Sequence, residues 1–264
     1  MYLIVDVGNT RVKTAVFKDE KIVKNYVSDK SDIVFNVKNV VSEYGIKDGI
    51  ISSVRKLSVN DVAELQKNIN LIELNYQTKV PFTNRYKTPK TLGVDRIALV
   101  SAGVKQFPNK NVLIIDAGTC ITYDFVSKKG EYLGGAISLG LKMRYQALHD
   151  YTAKLPKLEI KEINNFIGND TETSIHSGVI NGVVKEIEGV VGQYQQKYED
   201  LTIVLTGGDM FFLQKQLNFT IFANSNFLLE EINKYFISNS NECYCSTKQS
   251  IAVFGFWYRN KLYT

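Results

Sequence analysis

The chain has 264 residues, 44% hydrophobic and 22% charged, with a formal net charge of +5. This is ordinary globular composition, enough for one large domain or two smaller ones, and no apolar run reaches the roughly 20 residues of a membrane span. The lysines are scattered, with no arginine-rich tail or aromatic-interleaved basic stripe, so the charge fits a solvated surface or an anionic small substrate better than a nucleic-acid face.

The opening Met1–Asp6 has no basic region and meets an aspartate too soon for a secretory signal. Cys120, Cys243 and Cys245 form neither a disulfide framework nor a C-x-x-C pair. Both features point to the cytoplasm, and Cys120 is expected to be a buried spectator thiol.

Tyr2-Leu-Ile-Val-Asp6-Val-Gly8-Asn-Thr10 reads as a buried strand ending in an Asp-x-Gly turn. An alternating strand follows to Phe17, then a polar turn over Lys18–Lys21. Helical patterns follow at 32–44 and 60–68. In Tyr86–Ala98, Pro89 and Gly93 bend a loop, and Asp95 opens an apolar helical pattern through Ile97, Val100 and Val104. Val112-Leu-Ile-Ile-Asp116-Ala-Gly118-Thr119 then repeats the first strand and turn about 110 residues on, again followed by an alternating strand and the polar turn Ser127–Gly130. The longest helical pattern runs from Thr171 to Tyr198, with Ile175, Val179, Val183, Ile187, Val191 and Tyr194 near one face and Asn169 with Glu172 as a capping pair. Last come a buried strand to Thr206, the turn Gly207-Gly208-Asp209 and an apolar helix start. Strands alternating with helices imply an α/β fold. Two hairpins in register imply a duplicated lobe, with the boundary before Asn111: residues 1–110 and 111–264.

Glycine turns let backbone N–H groups approach an anion, and Thr10 and Thr119 add hydroxyls. A carboxylate beside such a turn repels bare phosphate, so Asp6 and Asp116 are expected to hold a cation, Mg²⁺ or a monovalent ion, against nucleotide phosphates. Lys13 is placed to neutralise phosphate charge. An Asp-x-Gly also opens hairpins that bind nothing; two copies plus the Gly207-Gly208 turn favour a nucleotide. P-loop and Rossmann fingerprints are absent from the sequence. Asp95 has a plain alternative as a helix cap. Arg96, a cation opposing the dipole in a helix's first turn, calls for a partner, and a substrate carboxylate gripped by its fork is the expected one. His149 and His176 fit no catalytic pattern.

The two acidic hairpins and the Gly-Gly turn resemble the actin and sugar-kinase superfamily, in which two ribonuclease H-like lobes with mixed sheets close over ATP. Gly93-Val94-Asp95-Arg96 resembles the Gly-x-Asp-Arg signature of type III pantothenate kinases. The Asp6–Thr10 and Asp116–Thr119 turns, Tyr132-Leu-Gly134-Gly135 and Gly168–Thr171 stand where that family has counterparts. The resemblance runs from Met1 to about Trp257. Ser138-Leu139-Gly140 lacks the family's usual proline, and Asn226–Glu231 departs from its usual Gly-Leu ending. The resemblance implies phosphorylation of pantothenate by ATP with Mg²⁺, the first step of coenzyme A biosynthesis. It implies Asp6, Val7, Gly8, Asn9, Thr10, Arg11, Val12, Lys13 and Thr119 at ATP; Gly93, Val94, Asp95, Arg96 and Thr171 at pantothenate; Asp95 as proton acceptor; and K⁺ or NH₄⁺ at Asp116. It further implies a homodimer, with neither nucleic acid nor membrane as a partner. Gly134 and Gly135 either shape a turn or serve the site, and their place after the second acidic hairpin favours the site. A sugar or acetamido-sugar kinase and a non-catalytic regulator are the alternatives on the same scaffold; Arg96 and the retained acidic groups weigh against them.

Overall fold

Each Asp-x-Gly repeat folds as the corner of a mixed β-sheet. A computed structural model describes residues 1–54, 57–163, 165–230 and 232–233; Cys243 and Cys245 lie outside them. The chain forms two compact units, one of Met1–Leu74 with the described residues from Leu229 on, the other of Asn75–Leu228.

In the first unit, β1 (Tyr2–Val7), β2 (Val12–Lys18) and β3 (Lys21–Ser28) form an antiparallel meander. Helix α1 (Ile33–Tyr44) leads to β4 (Asp48–Ser53), and α2 (Val59–Gln66) leads to β5 (Asn70–Glu73). Both of those strands run parallel to β1's direction, giving the order β3-β2-β1-β4-β5. Leu3, Val5, Val7, Val12 and Val16 meet Ile33, Val37, Val40 and Val41 of α1 in one apolar cluster.

The second unit repeats the plan. A short strand β6 (Thr83–Asn84) precedes α3 (Val94–Gln106); then β7 (Asn111–Ala117), β8 (Cys120–Val126) and β9 (Glu131–Leu139) form the second meander. Helices α4 (Leu141–Asp150) and α5 (Thr171–Lys197) lead to β10 (Leu201–Thr206), and α6 (Met210–Gln214) to β11 (Phe222–Ala223). The sheet order is β11-β10-β7-β8-β9-β6, with β10 parallel to β7. Without the edge strand β6 it matches the first sheet strand for strand, as two ribonuclease H-like lobes require. Ile175, Val179, Val183, Ile187 and Val191 of α5 are buried on one face of this sheet, each contributing about 1.5–3 kcal/mol of apolar burial. Leu99 and Ala102 of α3 pack on Val112 and Ile114 at the other face. So α3, which precedes the boundary proposed at Asn111, builds the core of the second unit.

Two expectations change. Helix α5 is capped one residue later than the sequence suggested: the Asp170 side chain accepts the Thr173 N–H at 2.7 Å, and the Thr173 hydroxyl takes the Asp170 N–H at 3.1 Å. Gly134 and Gly135 are not a turn. They pair with Phe125 and Asp124 inside β9, beside a bulge, and a Cβ on Gly135 would lie 1.6 Å from the Tyr123 carbonyl oxygen. Only glycine allows the strands to approach there.

Candidate active site

In the first unit, Asp6 is buried at the end of β1, with Lys13 opposite on β2 and Ser52 opposite on β4. Directly paired strand residues share a face at about 5 Å between Cβ atoms, so Lys13 is in reach of the charge beside Asp6. The turn that follows, Gly8–Arg11, is closed by the Gly8 N–H donating to the Arg11 carbonyl at 3.1 Å. The Gly8 amide is thus spent inside the turn. Asn9, Thr10 and Arg11 are exposed at its tip, while Val7 and Val12 are buried beneath it. This places Asp6 to Lys13 as one acidic and basic corner.

The second unit carries the equivalent corner. Asp116 pairs with Thr122 on β8 and Thr206 on β10, so again a carboxylate faces a hydroxyl from the neighbouring parallel strand. The Gly118 N–H donates to Cys120 O at 2.9 Å, and the Thr119 carbonyl accepts the Gly140 N–H at 3.1 Å. The Gly207-Gly208 turn closes over this corner: Asp209 N–H donates to Ala117 O at 2.9 Å. Gly207 has φ +99°, and a Cβ there would sit 2.5 Å from Asp116 Oδ1 and 2.2 Å from the Ala117 carbonyl oxygen. Cys120 is half-buried, its Sγ 3.9 Å from Met143 Sδ, and so is less enclosed than the spectator expected from the sequence.

The third cluster is built on the start of α3. Gly93, not Asp95, is the N-cap; Asp95 lies in the first turn, half-buried, and its Oδ1 accepts the Arg96 backbone N–H at 2.8 Å. Burial pushes the Asp95 carboxyl above its ordinary range; the Arg96 amide and guanidinium oppose this, while the charge of Asp124 adds to it. Arg96 is buried, and it already has a partner. Its Nε and Nη2 donate to Asp124 Oδ1 at 2.9 and 2.7 Å, with Nε also 3.2 Å from Oδ2. Tyr132 donates its hydroxyl to the same Oδ1 at 2.7 Å. The Tyr86 ring lies 5.7 Å from the guanidinium carbon and stacks on Tyr132 at 6.0 Å. Burial pushes Asp124 up and works against the Arg96 cation, yet bonding to Asp124 carries Arg96 above its usual value. The directions pull the pair opposite ways; three donors converging on one carboxylate decide for the ionised pair. Sequence reasoning missed Asp124, although a carboxylate inside the apolar strand Ile121–Val126 is an anomaly visible in the sequence.

Gly93 bears directly on Asp95, since a Cβ on Gly93 would lie 2.4 Å from Asp95 Oδ1. The carboxylate, not the backbone, would give way. Gly93→Ala should therefore displace the Asp95 carboxylate and lower kcat by on the order of 10²-fold, the scale of a 1 Å misplacement. Its cost to helix capping is only about 1 kcal/mol. Kinetics beside a thermal melt would separate the two, and a wild-type kcat would remove Gly93 from the site.

Thr171 stands elsewhere in the second unit. It is exposed on the rim of a cavity of about 1080 Å³ whose walls include Arg144, Leu148, Tyr151, Ile175 and Val179, and residues 93–96 do not line it. His176 is a core histidine bonded through Nδ1 to the Tyr145 hydroxyl at 2.8 Å, and His149 Nδ1 meets the Leu155 carbonyl. Both agree with the ordinary roles expected.

The family profile of type III pantothenate kinases matches residues 2–193. A type III pantothenate kinase of Christiangramia forsetii is 49% identical over 234 residues, covering 88% of this chain and 96% of the relative. That of Flavobacterium johnsoniae is 44% identical over 235 residues, covering 89% and 96%. The chain belongs to the type III pantothenate kinase family. Among solved structures, a Baf family protein of Campylobacter jejuni superposes with a TM-score of 0.61 at 20% identity, covering 90% of this chain and 99% of that one. A Listeria monocytogenes protein provisionally assigned as an N-acetylmannosamine kinase gives 0.53 at 13% identity, covering 90% and 99%. At these identities the likeness shows the fold, which is that of the sugar-kinase-like ATPases.

Membership in this kinase family carries use of ATP with a divalent metal. The residues fit such an ion. Among the described residues no group of three or more His, Cys, Asp or Glu could hold a metal. Asp6 and Asp116 each contribute one carboxylate, which suits Mg²⁺, an ion held by one or two carboxylates with substrate phosphates and water. At Asp116 the carboxylate and the Ala117 carbonyl converge on the space a Gly207 side chain would fill. Oxygen-only donors of that kind suit hard cations.

Proposed function

We propose that the chain transfers the γ-phosphoryl group of ATP to the primary hydroxyl of pantothenate, giving 4′-phosphopantothenate for coenzyme A synthesis. The observation that carries the reading is the start of α3. There Gly93 shapes the approach to a half-buried carboxyl of raised basicity, and the next residue is a fixed guanidinium. Asp95 accepts the hydroxyl proton. Asp124 occupies the Nε edge of Arg96, so the Nη1 end meets the pantothenate carboxylate; Val94 lies beside it, and Thr171, on a cavity that residues 93–96 do not line, meets the substrate from the second copy of the proposed homodimer. Asp6–Lys13 and Thr119 hold the nucleotide, with Lys13 offsetting phosphate charge. Bound Mg²⁺ beside Asp6, and K⁺ or NH₄⁺ at Asp116, supply charge neutralisation for the phosphates. Phosphoryl transfer passes through a loose transition state, so what these residues contribute is chiefly placement and charge. Purified protein with ATP, Mg²⁺, K⁺ and pantothenate should yield 4′-phosphopantothenate by mass spectrometry. Background ADP alone, with an acetamido-sugar phosphorylated instead, would sink the assignment.

The cation reading has its own test. With K⁺ and NH₄⁺ replaced by a large organic cation, kcat should fall at least about tenfold, the effect of losing roughly 1.4 kcal/mol of charge neutralisation. Asp116→Asn should lose its response to K⁺. An unchanged response in that variant would move the ion elsewhere. Assembly as a homodimer in the cytoplasm completes the proposal, supported by the exposed apolar side chains Leu133, Ile137 and Leu139 along β9. No helix among the described residues is long and apolar enough to cross a membrane.

A further inference from the structure

We propose that Asp124 is a positioning residue for this reaction: by holding the Arg96 guanidinium against β8, it keeps that cation off the adjacent Asp95 and aimed at the substrate. The inference rests on the roles given above to Asp95 and Arg96 and adds a residue that acts through them. Charge stoichiometry motivates it. Asp95 and Asp124 are two carboxylates in the surroundings of one guanidinium. In a desolvated site, a carboxylate beside a guanidinium pairs with it unless the cation is held elsewhere.

Here it is held elsewhere. Arg96 Nη2 and Nε reach Asp124 Oδ1 at 2.7 and 2.9 Å, the Tyr132 hydroxyl donates to that oxygen at 2.7 Å, and Asp124 is 0% exposed. The Tyr86 ring closes the guanidinium face at 5.7 Å. Asp95 takes the backbone N–H of Arg96, at 2.8 Å, while the guanidinium goes to Asp124. A buried ion pair contributes little net stability against an apolar substitute, so stability does not explain placing Asp124 inside β8. Orientation does. A guanidinium fixed at its Nε edge presents its other end in one direction, and Asp95 keeps an oxygen able to take a proton.

The charged and titratable groups facing Asp95 are Arg96 and Asp124; those facing Asp124 are Arg96 from α3, Tyr132 from β9 and Tyr194 from α5. Removing the Asp124 charge takes away a cause that raises Asp95 and frees Arg96 to pair with it, and both changes lower its pKa.

Asp124→Asn keeps the shape and one acceptor oxygen. With wild-type enzyme first shown to phosphorylate pantothenate, so that a failure of the activity itself is recognised separately, three results are expected of the variant. The acid limb of its kcat profile moves to lower pH. Its plateau kcat falls, and its KM for pantothenate rises, each by roughly tenfold or more, within the coupling range of one charged network. In an Arg96→Met background, Asp124→Asn should change KM little further. A folded Asp124→Asn protein with the wild-type acid limb and KM overturns the proposal and leaves Asp124 a packing residue. A second measurement needs no variant at position 124. Carboxyl ¹³C NMR of wild-type protein, with Asp95→Asn to assign the signal, should show Asp95 titrating above the ordinary aspartate range. Titration below that range would mean that Asp95 already pairs with a cation, and the proposal falls.

Discussion

Asp95→Asn is expected to lose roughly 10²–10⁴-fold in kcat, the usual contribution of a positioned acid or base. The structure makes this substitution unusually clean. Asparagine retains the Oδ1 that accepts the Arg96 N–H, so the first turn of α3 keeps its bond, and Gly93 remains the N-cap. What is lost is the second oxygen, replaced by an amide that cannot accept a proton. Pantothenate KM should change little, because the lost interaction belongs to the transition state. As the proposed base, the same carboxyl is expected to set the pH dependence of the wild-type enzyme. Burial holds it above its ordinary range. A base works deprotonated, so kcat should decline as pH falls through that raised value, with the limb above the reference aspartate pKa of about 3.9. A wild-type kcat in Asp95→Asn would leave Asp95 as a first-turn side chain satisfying a helix amide and nothing more.

The parts of this molecule set by local chemistry were legible in the sequence. The Asp-x-Gly echo gave both meanders because an apolar run, a glycine turn and an alternating run are short-range signals. The spacing of Ile175 to Val191 gave α5, which ends at Lys197, one residue before the predicted Tyr198. The errors arise where distant backbone decides. Gly134-Gly135 has the composition of a turn, yet the close approach of the Tyr123 carbonyl across β8 and β9 makes it paired strand beside a bulge at Leu133. The α5 cap depends on which residue is extended, and that is Asp170 rather than Asn169. Arg96 was recognised as a cation in need of a partner, but Asp124 lies 28 residues away in sequence and becomes adjacent only when α3 packs on β8. The residue type announced the need; the topology supplied the answer.

Arg96→Ala is accordingly expected to weaken substrate binding and destabilise the fold together. Loss of the guanidinium should raise pantothenate KM by the equivalent of roughly 2–5 kcal/mol if that contact is desolvated, and Arg96→Lys should rescue it poorly because an ammonium cannot reproduce the fork. It also strands Asp124, fully enclosed, with the Tyr132 hydroxyl still donating at 2.7 Å but its charge uncompensated. Removing one partner of a buried pair costs about 3–5 kcal/mol. The pH dependence of that cost has a definite sign. Burial already raises Asp124, and Arg96 is the main influence opposing it; in the variant the folded-state pKa rises further. The native variant then retains a proton that the unfolded chain has released, so stability falls as pH rises above the unfolded value of about 3.9, until the folded-state pKa is reached. Urea midpoints of variant and wild type should therefore lie close together near pH 4 and far apart near pH 8. Adding Asp124→Asn to Arg96→Ala should recover part of the loss at pH 8, because the stranded charge is gone, without restoring KM. If Arg96→Ala unfolds at the wild-type midpoint at both pH values, Asp124 is not a buried ionised partner, and the cluster at the start of α3 must be held together in some other way.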